Sequence, residues 1–534
     1  MSTAVLSAEE AAALVPPEMT ARDLWHWRAQ ETPDRPWLIF EGTTWTFGEF
    51  DVEVRRLAAG LRRFGVKQGD RVLLGLKNRP ETIQVQLALA ELGAVSVPLV
   101  PGLTTAELAY PVEHSQGRLL IADDPIALQV LEQRDQFASI EQIVVLGDVE
   151  VPAGVALDRF DDLLTAEPLE HAPLPGYDPQ TMGYIVYTSG STGRPKGVML
   201  KAGSLYAAGL GYSDCYRITG EDNYLLATTL AHSLGAIGAL GITILTGGRL
   251  TLVERFRPTK FWDEVNRNGA TVSVLFATHL NLLLEVDDGK QAAGETSLRF
   301  VVTHIFHPRF RERFGVEQGT IWGMSETCVC AGSDPGYRGE LGPGYFGRPF
   351  AGAELGIFDA DFNRLPPGVR GELAIRHPQV MLGYLGDPEA TAATLVDGWV
   401  RSGDMAYMDH SGRGYFVGRY KAMIKRSGEN VSAEEVEAAL VAHPAVSECV
   451  VVGVPDPLRS EEVAAVVVPR AGATVDPAEL RESCAANLVR WKLPRYIHVS
   501  AEPLPRMGNG KVDRVTIAAG FDIDGAWDAE VSTT

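Results

Sequence analysis

Cysteine is scarce in this chain, with five in 534 residues. Cys215, Cys328, Cys330, Cys449 and Cys484 are odd in number and scattered. That pattern excludes a disulfide framework and suits reduced thiols in a cytosol. Cys328 and Cys330 lack zinc spacing and have no second pair, so no metal site is read there. Positive charge is also short: 48 Lys and Arg stand against 69 Asp and Glu, a net charge of −21. This balance argues against nucleic acid or an anionic membrane as a partner, while a locally positive site could still take an anion. Long apolar runs are missing too. The stretch from Met1 to Pro17 has no basic start and is broken by Glu9 and Glu10. No signal peptide or membrane span is expected, and the predicted location is cytoplasmic. There is no internal repeat, no low-complexity tract and no Walker A loop.

What is present is an ordinary globular composition, 45% apolar and 22% charged, on a chain too long for one core. Helical spacing from Leu57 to Phe64 is followed by a buried strand pattern, Arg71 to Leu76. A helix from Glu81 to Leu92, a strand from Val95 to Val100, and strands at 119–122 and 143–146 continue the alternation. This predicts an α/β layered domain with parallel sheet. Similar patterns resume between Leu225 and Phe276. From Gly347 to Gly418 short strands with Gly, Pro and Asp turns predict a β-rich part. After Arg419 a compact α+β unit follows, and the tail from Asp522 to Thr534 reads as frayed.

The most informative segment runs from Tyr187 to Gly197. Thr188, Ser189, Ser191 and Thr192 supply hydroxyls, Gly190 and Gly193 leave backbone amides uncovered, and Lys196 adds a charge. Such a segment can wrap an oligophosphate. Alone it is compatible with a plain flexible loop, but it follows an apolar strand and has partners downstream. Trp322, Gly323, Met324, Ser325 and Glu326 combine an aromatic face, a hydroxyl and a carboxylate, which could meet a base, a phosphate and Mg²⁺. Asp404 could accept both hydroxyls of a ribose. Arg419 could reach ribose or phosphate, with Lys421 at a seam. Lys425, Ser427, Gly428 and Glu429 precede a helix opened by Asn430 and Ser432; Gly428 lets a ligand approach the backbone closely. Lys511 sits on a glycine-flanked loop.

In this order, these segments resemble the adenylate-forming superfamily, in its acyl-CoA ligase branch and nearest the carnitine/crotonobetaine-CoA ligase group. The resemblance runs from about Thr20 to Arg514. It implies a large N-terminal domain over residues 1–420, made of two α/β layers and a β-rich subdomain. A small mobile α+β domain over 421–534 is hinged at Lys421. It also implies ATP, Mg²⁺, coenzyme A and a carboxylate as ligands, and a two-step reaction through an acyl-adenylate. Thr188–Lys196 would hold the β- and γ-phosphates, Glu326 the Mg²⁺ and Ser325 the α-phosphate. Asp404, Arg419 and Phe416 would hold the nucleoside side. Lys511 would bridge carboxylate and α-phosphate. Lys425, Ser427, Gly428 and Glu429 would line the CoA channel. His232 would stand between the acyl pocket and that channel, with Ala231, Thr303, His304, Ile305 and Cys328 around the acyl group.

The sequence departs from the family in several places. A glycine-rich segment normally lies along the adenine; here Leu298 to Pro308 runs almost directly into Phe310–Gly315, without those glycines. Trp322 stands where Tyr is usual, Ser325 where Thr is usual, and Ala277 where Pro is usual. Three readings therefore stay open. The first is an ATP-dependent acyl-CoA ligase. The second is an enzyme that only transfers a preformed acyl-adenylate to CoA, and the third a catalytically silent relative that binds an acyl-nucleotide. The small residues from Thr228 to Gly241 suit either a roomy apolar acyl pocket or close helix packing. They contain no aspartate to pair an amino group, so an apolar carboxylate is expected. A homodimer and a separate carrier protein as acceptor are both compatible with the chain.

Overall fold

A computed structural model describes residues 19–147, 149, 157–188, 195–286, 295–304, 306–328, 331–333, 336–342, 344–419, 423–426, 429–456, 459–485, 488–507 and 510–531. The chain is mixed α/β and divides into two units. The first comprises Met1–Leu355 and Ala374–Arg401, the second Gly356–Leu373 and Ser402–Thr534.

The first unit contains an eight-stranded sheet. Its centre is parallel: Val95–Pro98 pairs with Arg71–Gly75 on one side and Met182–Thr188 on the other, and Arg71–Gly75 continues to Leu119–Ala122. These short strands are almost wholly buried, as a sheet covered on both faces requires. At one edge the pairing becomes antiparallel. Lys196–Lys201 is antiparallel to Met182–Thr188, and Gly383–Tyr384 is antiparallel to Lys196–Lys201. The helix Pro80–Leu92 starts with proline at its first turn and ends at Gly93 with φ +66°, so both boundaries are written in the sequence. The helix Phe47–Arg63 opens on a reciprocal capping box between Thr46 and Glu49.

A second sheet in this unit runs in parallel through Asn223–Leu226, Val272–Val274, Phe300–Thr303 and Glu317–Trp322. Beside it Gly241, from the small-residue stretch 228–241, serves close packing. A Cβ on Gly241 would lie 2.2 Å from the Leu205 carbonyl oxygen, and one on Gly209 2.3 Å from the Gly241 carbonyl oxygen. The helices Ser204–Tyr216 and Leu240–Thr246 therefore touch backbone to backbone. Between them and Ala231 lies a π-helical turn, Leu234–Ala239.

The second unit holds the antiparallel pair formed by Trp399–Met408 and Gly414–Arg419, and a six-stranded sheet. Val446–Asp456 and Ser460–Pro469 form its long antiparallel core. Helix Ala433–Val441, capped by Ser432, packs its apolar side there through Val436 and Leu440. Among the described residues, up to Val531, the tail is held in place where its composition suggested fraying. Trp527–Asp528 pairs with Tyr496–Val499, and Arg495 grips Asp528 through two bonds of 3.0 Å.

Candidate active site

The segment expected from sequence to bind phosphate is flanked by two antiparallel strands. Thr188 ends one strand and Lys196 opens the next, and the two face each other in register. Ser189, Gly190, Ser191 and Thr192 lie outside the described residues. The Lys196 ammonium sits 4.5 Å from the centre of the Tyr384 ring, a cation–π contact. Tyr384 in turn donates its hydroxyl to Glu326 at 2.8 Å. Burial, then the neighbouring Glu326 charge, pushes the Tyr384 hydroxyl far above the ordinary phenol range, so it stays protonated and donating. Lys196, Tyr384 and Glu326 thus form one connected line, with Glu326 only 8% exposed. Tyr384 escaped the sequence reading because it is 58 residues from Glu326 and reaches it only through a two-residue strand.

Trp322 closes the strand Glu317–Trp322 and is buried, its ring 5.8 Å from Phe346. Gly323, Met324 and Ser325 follow in a half-buried turn. Thr327 locks that turn: its hydroxyl donates to the Met324 carbonyl at 3.0 Å and its amide donates to the same oxygen at 3.1 Å. Cys328 comes next at φ +56°, buried, with its sulfur 3.6 Å from the Ser204 carbonyl oxygen.

Three histidines surround Phe276. His304 stacks on it at 5.3 Å and 3°, His279 at 5.5 Å and 26°, and His232 meets it edge-on at 6.4 Å. His232 and His304, assigned to the acyl side from sequence, are therefore brought to one aromatic ring. Next to His304, Thr303 is fully buried, and its hydroxyl has no hydrogen-bond partner among the described residues. Ile305 lies outside the described residues. His279 accepts a bond from the Phe276 amide, and burial pulls its pKa down to about 4, so it is neutral. Ala231 is buried and His232 exposed, its Nδ1 accepting from the Leu234 amide at 3.2 Å. A Cβ on Gly235 would come 2.4 Å from the Thr229 carbonyl oxygen, which fixes glycine at this bend.

In the second unit Asp404 and Arg419 face each other across the antiparallel pair, with Arg419 Nε 2.7 Å from Asp404 Oδ1. Asp404 is 3% exposed, whereas the Arg419 side chain is 54% exposed. The buried partner is held from below: its amide donates to Ser402 Oγ at 3.0 Å, and the Gly403 amide donates to Glu372. Phe416, half-buried, pairs in register with Ala406. Gly418 approaches the cap of the helix Ala433–Val441, where a Cβ would lie 2.4 Å from Ser432 Oγ. Lys421, Ser427 and Gly428 lie outside the described residues; Lys425 and Glu429 lie on the paired strands Met423–Arg426 and Glu429–Ser432. Lys511 is exposed on a turn closed by the Arg506–Val512 bridge, its carbonyl accepting from the Met507 amide at 2.8 Å.

Comparison with known proteins defines the family. Residues 25–385 match the AMP-binding enzyme family, and residues 435–511 match the AMP-binding enzyme C-terminal domain. The chain belongs to that family of adenylate-forming enzymes, on the branch of the acid–thiol ligases. It is 32% identical over 499 residues to the sulfoacetate–CoA ligase of Cupriavidus necator, covering 92% of this chain and 96% of that one. To the crotonobetaine/carnitine–CoA ligase of Escherichia fergusonii it is 32% identical over 480 residues, covering 88% and 92%. Among solved structures, the o-succinylbenzoate CoA synthetase of Bacillus subtilis, in complex with its acyl-adenylate intermediate, is 28% identical. It superimposes with a TM-score of 0.81 over 94% of this chain and 98% of that one.

Proposed function

We propose that this protein joins an apolar carboxylate to coenzyme A in two steps, using ATP. A carboxylate oxygen attacks the α-phosphorus of ATP and expels pyrophosphate, giving an acyl-adenylate. The thiolate of CoA then attacks the acyl carbon, and AMP leaves. The observation that carries this reading is the line Lys196–Tyr384–Glu326 at the mouth of the phosphate-binding hairpin. It places a cation, a fixed phenol and a carboxylate of restricted exposure beside the segment that would cradle the phosphates. A carboxylate of this kind suits Mg²⁺, which takes few protein oxygens and the rest from phosphates and water. When bound there, the ion would neutralise charge building on the phosphates.

The remaining roles follow the motifs. Thr188 and Lys196 would bind the outer phosphates and Ser325 the α-phosphate. Asp404 and Arg419 would bind the ribose, with Phe416 and Trp322 on the base side. Lys511 would bring its ammonium to the reacting carboxylate. The division at residues 420/421, the hinge at Lys421 and the CoA channel from Lys425 to Glu429 belong to the same proposal, in which the C-terminal part alternates between the two steps. Thr303, His304 and Phe276 would face the acyl group together with His232, and an apolar carboxylate remains the proposed substrate class.

A second reading has one observation in its favour. The shortened segment after Thr303 sets His304 flat on Phe276, and this is the segment expected along the adenine. An enzyme with that wall rebuilt could retain only acyl transfer from a preformed adenylate. Pyrophosphate exchange into ATP across a carboxylate panel, beside thioester formation from synthetic acyl-adenylates and CoA, separates the two. Exchange together with thioester formation supports the full ligase; thioester formation without exchange supports the half-reaction; silence in both sinks both.

A further inference from the structure

Outside these residues, the first unit brings together side chains that the ligase reaction does not use. His26 stands on the helix Ala21–Glu31, Glu91 on Pro80–Leu92, and His171 in the connection leading to the strand Met182–Thr188. One ligand atom from each lies within 4.8 Å of the other two. His26 Nε2 is in contact with Glu91 Oε2, and His171 Nδ1 is 3.8 Å from the same oxygen. The two imidazoles are only 3.3 Å apart, centroid to centroid. His171 Nδ1 is buried and makes no hydrogen bond among the described residues.

The Glu91 ion pair reaches that nitrogen at 3.8 Å, beyond hydrogen-bond distance, so its lone hydrogen-bonding position is left open. Glu91 Oε1 is already taken by Arg22 Nη2 at 3.3 Å, and Oε2 by His26. The outer ring of contacts is also specific. His171 Nε2 points to Asp51 Oδ2 at 3.8 Å, and Asp51 is fixed by Trp25 Nε1 at 2.9 Å and by Arg55 Nε at 2.8 Å. A carboxylate behind an imidazole whose other nitrogen faces inward is the usual outer support of a metal-binding histidine.

We propose that His26, Glu91 and His171 bind one divalent transition cation of the zinc type, with Asp51 and Arg22 as positioning residues. Two imidazole nitrogens and one carboxylate oxygen form a borderline donor set that suits Zn²⁺, with water completing the shell. Ligand atoms on one such ion lie about 3.3 Å apart, given bonds of about 2.0–2.1 Å, so the present spacing closes with small side-chain movements. The cation would fasten the connection carrying His171 to two helices. That connection runs into the strand ending at Thr188, so the site would anchor the approach to the phosphate-binding segment from outside it.

The test uses the full-length, untagged protein stripped with a chelator. Calorimetry with Zn²⁺ alone should show one tight equivalent, and Co²⁺ should give the visible bands of a four- or five-coordinate site. His26→Ala and His171→Ala should each weaken binding by about 100-fold or more, and Asp51→Asn by about 10–100-fold. His410→Ala, on an exposed turn, should change nothing. Should the variants fail to fold, Zn²⁺ should still protect His26 and His171 of the unaltered protein from diethyl pyrocarbonate, read by mass spectrometry. No Zn²⁺ binding, binding that the His26 and His171 variants leave unchanged, or no protection overturns the site.

Discussion

Tyr384 holds Glu326 through a 2.8 Å hydrogen bond while its ring carries the Lys196 ammonium. One tyrosine thereby couples the hairpin proposed to bind phosphate to the carboxylate proposed for Mg²⁺. Tyr384→Phe keeps the ring and removes the bond. A hydrogen bond to a charged group is worth about 1.5–3 kcal/mol, or roughly 10–100-fold in rate. The variant should lose that much in pyrophosphate exchange and need more Mg²⁺ for half-maximal rate. An unchanged Mg²⁺ dependence would remove Tyr384 from the site.

Asp404 is buried and supported by Ser402, while its partner Arg419 reaches outward. Asp404→Asn should therefore raise the KM for ATP by about 10-fold or more, from weakened charge-assisted bonds. The folded structure should persist, since the change is isosteric. The measurement is initial rate against ATP concentration, with circular dichroism as the control.

Lys511 is exposed on its turn, so its loss should cost little stability. Lys511→Ala should lower adenylation on the order of 10²–10³-fold, yet largely keep thioester formation from a synthetic acyl-adenylate. Equal loss of both steps would contradict the division of labour proposed above.

Two histidines make stability depend on pH. His279 is held at about 4 by burial, and His377 at about 4 by burial and the nearby Lys201 charge. In the unfolded chain both titrate near 6.5, so between pH 6.5 and 4 the unfolded state binds more protons. Their contribution is complete above pH 6.5 and drains as pH falls toward 4, by up to about 3 kcal/mol each. His279→Gln should flatten the slope of denaturation midpoint against pH across that window.

Gly238 and Gly241 give a matched pair. The nearest atom to a Cβ on Gly238 is 3.5 Å away, whereas on Gly241 it is a backbone oxygen at 2.2 Å. Gly238→Ala should be tolerated. Gly241→Ala should destabilise by about 2 kcal/mol or more through overpacking, visible as a lower Tm or loss of soluble protein.

Much of this was legible before any coordinates. The alternation from Arg71 to Leu146 announces the parallel sheet because each strand is a short apolar run bounded by Gly, Pro or Asp. The hydroxyl-rich segment after Tyr187 and the Glu326, Asp404 and Arg419 motifs were readable because each packs unusual chemistry into a few residues. Tyr384 was not, since its meaning arises from strand pairing across distant sequence. Nor was the role of Gly209 and Gly241, because composition cannot tell a pocket wall from a helix crossing. Thr327 was overlooked beside the more conspicuous Glu326, although a threonine three residues after Met324 is well placed to close a turn.

The short strand Trp527–Asp528 has a further implication. It occupies the hydrogen-bonding margin of Tyr496–Val499, which would otherwise offer a row of unsatisfied amides and carbonyls. Shortened versions of the protein ending before Trp527 would expose a ready template for strand addition. They are expected to self-associate even if the ligase chemistry survives, so concentration-dependent aggregation, and not lost turnover, would be the first sign of that missing cover.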